Sequence, residues 1–264
     1  MRLHYLQHVP FEGLGYIRTW AASRGHGVTC TRLHANAPLP PLMEVDLLVI
    51  MGGPMNVYEE LKYPWLVAEK RFIAEAISLG RPILGVCLGA QLLATVMGAR
   101  VVPNVDREIG WFDIYRTDAA DRAGLAGFLP EKAEVFHWHG DTFDLPAGAV
   151  HLARSTGCEH QGFVAQARIV GLQFHLEVTA DGAGRLVQNC RQDLETPGRF
   201  VQDPAAILSN ERRFGQAHAL LAALLDRLSG SAPNTLQRWE ARLPLTPVPA
   251  FRRACNRTPR QSNC

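Results

Sequence analysis

An α/β fold is predicted: a doubly wound, mostly parallel central sheet flanked by helices, with an antiparallel strand subregion. Three observations carry it. The run Leu47-Leu48-Val49-Ile50-Met51 is apolar on both faces, as a strand sandwiched inside a parallel sheet must be. Strand-like and helix-like segments alternate through the first hundred residues, the order expected of successive βα units. From about residue 99 the segments become short and strand-like in succession, which suits antiparallel hairpins covering an edge of that sheet.

Taken in order, residues 2–9 alternate as a first strand, punctuated by Pro10 and Gly13. Residues 14–24 read as a helix ending at Gly25, residues 27–33 as a second strand, and residues 35–41 as a proline-rich loop. The third strand, 46–51, stops sharply at Gly52-Gly53-Pro54. Residues 65–79 have helical spacing (Val67, Phe72, Ile73, Ala76), end at Gly80 and lead into a strand before Cys87, after which Leu92, Leu93, Val96 and Met97 resume a helical pattern. Further strands are expected at 101–102, 108–115, 133–138, 150–154, 159–165 and 169–175, and helices at about 179–192 and 211–228. These place one domain at 1–230, followed by a Pro/Arg-rich, poorly ordered tail at 231–264.

At 264 residues the chain can bury a full core, and 47% hydrophobic with 20% charged residues describes an ordinary globular protein. A formal net charge of +2 and dispersed basic residues give no footing for nucleic acid, and no apolar run approaches a membrane span. Met1-Arg2-Leu3-His4-Tyr5 does not read as a signal peptide. Six scattered cysteines (Cys30, Cys87, Cys158, Cys190, Cys255, Cys264) form no C-x-x-C pair, so free thiols in a reducing cytoplasm are expected.

The chemistry concentrates at Gly85-Val86-Cys87-Leu88-Gly89, a short apolar run ending in a cysteine with glycine two residues to either side. A side chain at the tip of a sharp strand-to-helix turn needs neighbours without Cβ atoms, so that strand and helix can approach. The turn sets the sulfur near a helix N-terminus, which favours thiolate over thiol. By itself Cys87 could equally be a small core residue. A second constellation, Gly171-Leu172-Gln173-Phe174-His175-Leu176-Glu177, closes an apolar strand with His and Glu two apart. On a strand, positions i and i+2 share a side, so Glu177 can brace one nitrogen of His175 and leave the other to take a proton from a thiol.

With these residues in view, the chain resembles the class I (triad-type) glutamine amidotransferases over roughly residues 40–180. Gly52-Gly53-Pro54-Met55 resembles the family's oxyanion loop, Gly85 to Gln91 its nucleophile elbow, and Phe174-His175-Leu176-Glu177 its His–Glu motif. Glu159-His160-Gln161-Gly162-Phe163 is similar to its glutamine-binding strand. His137-Trp138-His139-Gly140-Asp141 is similar to a segment of GMP-synthase-type amidotransferase domains and their free-standing relatives. One departure stands out: Leu176 occupies the position where the family usually has proline.

The resemblance implies a flavodoxin-like sheet and a Cys-His-Glu triad of Cys87, His175 and Glu177 acting through a γ-glutamyl thioester. It implies oxyanion donors in the backbone N–H groups of Gly53 and Leu88, and substrate contacts from Gln91, Gly162 and Phe163. No cofactor and no metal are implied. His137, His139 and Asp141 alternate as ligands could, yet no Cys or further His stands at metal spacing. Tyr58, Tyr63 and Trp65 flank the oxyanion loop as rim or core residues. The expected substrate is glutamine or a γ-glutamyl compound, with ammonia passed to a separate accepting enzyme. Two alternatives stay open, a self-sufficient γ-glutamyl hydrolase or peptidase with the same triad, and a non-catalytic regulator on the same fold.

Overall fold

A computed structural model describes residues 1–230. The expected tail at 231–264 lies outside the described residues. The first half alternates as β1 (Arg2–Gln7), α1 (Tyr16–Ser23), β2 (Gly27–Arg32), β3 (Leu47–Ile50), α2 (Trp65–Ser78), β4 (Ile83–Val86) and α3 (Leu88–Val96). The second half runs β5 (Val101–Arg116), β6 (Lys132–Phe143), β7 (Val150–Ser155), β8 (Gly162–Ala165), β9 (Ile169–Leu172), α4 (Ala180–Asn189), β10 (Phe200–Val201), α5 (Pro204–Leu208) and α6 (Arg212–Leu228).

One mixed sheet has the order β10-β5-β7-β8-β9-β4-β3-β1-β2, with β6 paired to β5. Its segment β2-β1-β3-β4-β9 is parallel throughout, the flavodoxin-like arrangement. The period-2 alternation of side chains divides the core between two faces. Leu47 and Val49 of β3, with Leu84 and Val86 of β4, pack on the side of α1 and α6, whereas Leu48, Ile50 and Ile83 pack on the side of α2 and α3. A strand buried on both faces has no polar position to spare, which is why Leu47–Ile50 reads as an unbroken apolar run. Among the described residues no helix is long and apolar enough to cross a membrane.

Several boundaries differ from those expected. The antiparallel strands extend the parallel sheet from β9 outward instead of covering its edge. The two segments at 101–102 and 108–115 are one strand, β5, because pairing with β6 continues on both sides of a register shift between Pro103 and Glu108. The strand expected at 159–165 begins only at Gly162, since Ser155 and Cys158 close a tight turn before it, Ser155 N–H donating to the Cys158 carbonyl at 2.8 Å. The strand expected at 169–175 ends at Leu172, so His175 and Glu177 do not share a regular strand; His175 keeps one isolated bridge to Phe136. The helix expected at 179–192 ends at Asn189. Unforeseen are β10 and α5, although Asp203, whose carboxylate accepts from the N–H groups of Ala205 and Ala206, followed by Pro204 is a helix start signal.

Candidate active site

The carboxyl ends of β1, β3, β4 and β9 open onto a cleft of about 450 Å³. Its position follows from topology: strand order reverses between β1 and β3, and helices leave on opposite faces there, so the loops part.

Cys87 sits between β4 and α3 with φ 52° and ψ −109°, a conformation costly for any residue with a Cβ. Two close approaches enforce the turn. A Cβ on Gly85 would lie 2.5 Å from the Gly89 carbonyl oxygen, and one on Gly89 would lie 2.1 Å from the Ile50 carbonyl oxygen. The glycines two residues from the cysteine therefore let α3 lie against β3 and β4, as their spacing predicts. The Cys87 thiol donates to the Trp138 carbonyl at 3.6 Å and accepts from Gln173 Nε2 at 3.7 Å.

His175 lines the same cleft. Its Nδ1 is 2.7 Å from Glu177 Oε1, while its Nε2 has no hydrogen-bond partner among the described residues. The i, i+2 geometry survives without a regular strand because the segment is tied elsewhere. His175 N–H donates to the Phe136 carbonyl, and the Glu177 carbonyl accepts from Tyr16 N–H, each at 2.8 Å. Burial opposes the charged imidazole, but Glu177 and Cys87 outweigh it and raise the His175 pKa well above its ordinary value. Leu176 is buried in the core beneath, so the residue in the proline position is held by packing.

Gly53 lines the cleft, and its N–H has no acceptor among the described residues. Leu88 opens α3, where the N–H has no intrahelical acceptor. Gln91 reaches the cleft wall from α3, and its Nε2 donates to Gln173 Oε1 at 3.2 Å, completing a chain from Gln91 through Gln173 to the sulfur. Gly162 and Phe163 do not line this cleft. Their main chain runs in the ladders of β8 with β7 and β9, and the Phe163 ring is buried against Phe143 in the α2–α3 core.

Further residues complete the walls. Glu12, in the β1–α1 loop, faces the cleft with its carboxyl pushed up to about 7 by burial, an effect that His175 and His8 only partly offset. Arg107, Asp141 and Asp193 add one positive and two negative groups. Glu12, Arg107 and Asp193 carry no spacing to a neighbour that a pattern could find, whereas Asp141 closes the His137–Asp141 segment that the sequence singles out. His8 directly after β1 could have been found from the rule that ligands gather at strand carboxyl ends.

His137 and His139 point from β6 toward Glu108, and the three offer donor atoms all within 4.8 Å of one another, a set that metal coordination could use. Those donors are already engaged. Glu108 accepts from the Ser155 hydroxyl at 2.7 Å and from the Gln161 amide, and lies 3.1 Å from His139 Nε2. Despite burial, His139, His137 and Ser155 hold the Glu108 carboxyl down at about 2, and burial holds His137 neutral with its pKa at about 3. The cluster is a hydrogen-bonded brace behind the strand that carries Trp138.

The family model for glutamine amidotransferase class-I matches residues 17–190. The chain is 34% identical over 235 residues to the glutamine amidotransferase-like protein YfeJ of Salmonella typhimurium, spanning 87% of this chain and 98% of that protein. It is 38% identical over 197 residues to a GMP synthase of Thermomicrobium roseum, covering 72% of this chain but 34% of that longer protein. Among solved structures, a glutamine amidotransferase of Thermotoga maritima superposes with a TM-score of 0.80 at 36% identity, covering 87% of this chain and 98% of that one. A glutamine amidotransferase of Methylobacillus flagellatus gives 0.81 at 28% identity, covering 86% and 93%.

Proposed function

The chain belongs to the class I glutamine amidotransferases, and on that footing we propose that it hydrolyses the side-chain amide of glutamine and releases ammonia through Cys87, His175 and Glu177. The observation that carries the proposal is a cysteine on a strained elbow sharing one cleft with an imidazole whose far nitrogen is braced by a carboxylate at 2.7 Å and whose near nitrogen has no partner among the described residues.

The thiol swings from the Trp138 carbonyl to His175 Nε2, which takes its proton, and the sulfur attacks the amide carbon. Glu177 keeps the proton of Nδ1 in place and favours the imidazolium that forms. The oxyanion is received by the N–H groups of Leu88 and Gly53. His175 then returns its proton to the departing nitrogen, the C–N bond breaks, and ammonia leaves a γ-glutamyl thioester on Cys87. A water deprotonated by the same imidazole adds to the thioester, and glutamate is expelled as the thiolate is regenerated. Gln91, Arg107 and the carboxylates of the cleft offer hydrogen bonds and opposite charges for a free amino acid's polar end, the role that Gly162 and Phe163 do not reach from β8. Ammonia would pass to a separate acceptor enzyme.

A γ-glutamyl amide or peptide as substrate has one observation in its favour: the cleft continues past Cys87 to Asn189 and Gln192, leaving room for a leaving group larger than ammonia. Glutamate release by the purified chain from glutamine and from a panel of γ-glutamyl peptides separates the two. Robust peptide cleavage with negligible glutaminase favours the peptidase. A glutamine-mimicking diazo-ketone should label Cys87 covalently, and a wild-type chain left unlabelled would sink the catalytic proposal in favour of a non-catalytic role.

A further inference from the structure

A second His–Glu pair lies buried beneath the Gly52–Gly53 turn. His8, just past β1, places Nε2 2.8 Å from Glu69 Oε1 of α2 and Nδ1 3.0 Å from the Gly52 carbonyl oxygen, with both side chains 0% exposed. A carbonyl can only accept, so Nδ1 carries a proton and donates it, wherever the proton between Nε2 and the carboxyl resides. The Trp65 ring, 5.6 Å away, closes the remaining side.

The Gly52–Gly53 peptide is planar and trans, so its carbonyl and its N–H point in opposite directions. A bond that grips the carbonyl of Gly52 therefore fixes the direction of the Gly53 N–H. Such a grip matters because a Gly-Gly peptide is the pair least restrained against rotation of its plane. Side chains cannot replace it. A Cβ on Gly53 would lie 2.9 Å from His8 Cβ, and one on Gly52 would fall 2.5 Å from Glu12 Oε2 and 3.4 Å from His175 Cε1.

We propose that His8, braced by Glu69, is a positioning residue that holds the Gly53 N–H toward the cleft as an oxyanion donor; this rests on the amidotransferase function proposed above. The polarised chain Glu69–His8–Gly52 also strengthens that donor, since hydrogen bonds in series reinforce one another. The pair thus mirrors Glu177–His175, one serving the proton and the other the oxyanion.

The test compares wild type with His8→Leu, His8→Asn and Glu69→Gln in four measurements on the full chain. These are kcat and KM for glutamine, affinity for the γ-aldehyde analogue of glutamine, affinity for glutamate, and the rate of Cys87 alkylation by iodoacetamide. The aldehyde adds the sulfur to its carbonyl carbon and sets a tetrahedral oxygen in the oxyanion position, whereas alkylation uses no oxyanion. Burial pushes the Cys158 and Cys190 thiols up to about 11 and about 12, so alkylation at those sites is slow and Cys87 is followed by peptide mass.

His8→Leu should lower kcat by about 10²–10³, the effect of losing one oxyanion donor, and weaken the aldehyde in proportion, with KM, glutamate affinity and alkylation rate nearly unchanged. His8→Asn, whose amide can reach the Gly52 carbonyl from the same side, should recover most of the loss. Should the uncompensated Glu69 keep His8→Leu from folding, Glu69→Gln carries the test with an aldehyde affinity about tenfold weaker and alkylation unchanged. An active wild type matched by these variants, or aldehyde affinity and alkylation rate falling together, overturns the inference alone. A wild type that neither releases glutamate nor binds the aldehyde overturns the amidotransferase proposal and this one with it.

Discussion

Cys87 concentrates the conflict between folding and chemistry in one residue. Its φ of 52° is affordable to glycine and costs a residue with a Cβ about 1–3 kcal/mol. Cys87→Gly should therefore be more stable than Cys87→Ala by about 1 kcal/mol in urea unfolding, the reverse of the usual order, and both should be inactive. Equal stabilities would mean that the elbow stores no strain. Glu12 presents the opposite case, a carboxyl whose proton the fold retains. Burial raises it from 4.5 to about 7, so the native state binds a proton that the unfolded chain releases earlier, and stability falls as pH rises through that window. Glu12→Gln cannot titrate. Its stability relative to wild type should grow between pH 4.5 and 7, by at most about 3 kcal/mol, and stay flat above. An identical difference at about pH 5 and about pH 8 would contradict the assignment. At this scale Cys87, His175 and Glu177 were legible because each carries a fixed spacing to a neighbour. His8 was legible only by its place at a strand's carboxyl end, and Glu69, Glu12 and Gln173 were not, since their roles arise from contacts with residues distant in sequence, as between Glu69 and His8, Glu12 and His175, or Gln173 and Cys87.

Helix α3 is held against β3 and β4 by absent side chains, and the glycines of other helices have no such duty. Gly89→Ala would press its Cβ onto the Ile50 carbonyl and should destabilise by about 3 kcal/mol or more. Gly184 in α4 and Gly215 in α6 would meet nothing within 4 Å of an added Cβ, so Gly184→Ala and Gly215→Ala should each stabilise by about 1 kcal/mol through helix propensity. Thermal unfolding of the three variants checks the contrast, and a tolerated Gly89→Ala would refute the close-approach account. The elements that sequence patterns located well are β3 and β4, buried at every position and so unbroken apolar runs, and α2, whose buried positions recur at helical spacing. Those mislocated lie in the second half of the described chain. There, a bulge in β5 looks like a turn, and the stretch from Gln173 to Glu177 keeps apolar alternation without ladder pairing.

Across the molecule, α6 ties the end of the described chain to its beginning. Asp226 accepts from Trp20 Nε1 at 2.9 Å and pairs with Arg24, while Phe214, Leu221 and Leu225 join the core beside α1. The parallel order was legible from the alternation of apolar and helical segments, whereas the extension through β8, β7 and β5 depends on pairings that no local pattern encodes. Every group assigned to chemistry hangs from one rim of the sheet. The other rim carries turns such as Gln166–Ala167 between β8 and β9, both with positive φ and exposed side chains. That side is a natural handle. A short peptide tag spliced at Ala167, or tethering of the protein to a solid support through that turn, should leave turnover at the wild-type level, whereas the same splice between Leu172 and His175 should abolish it.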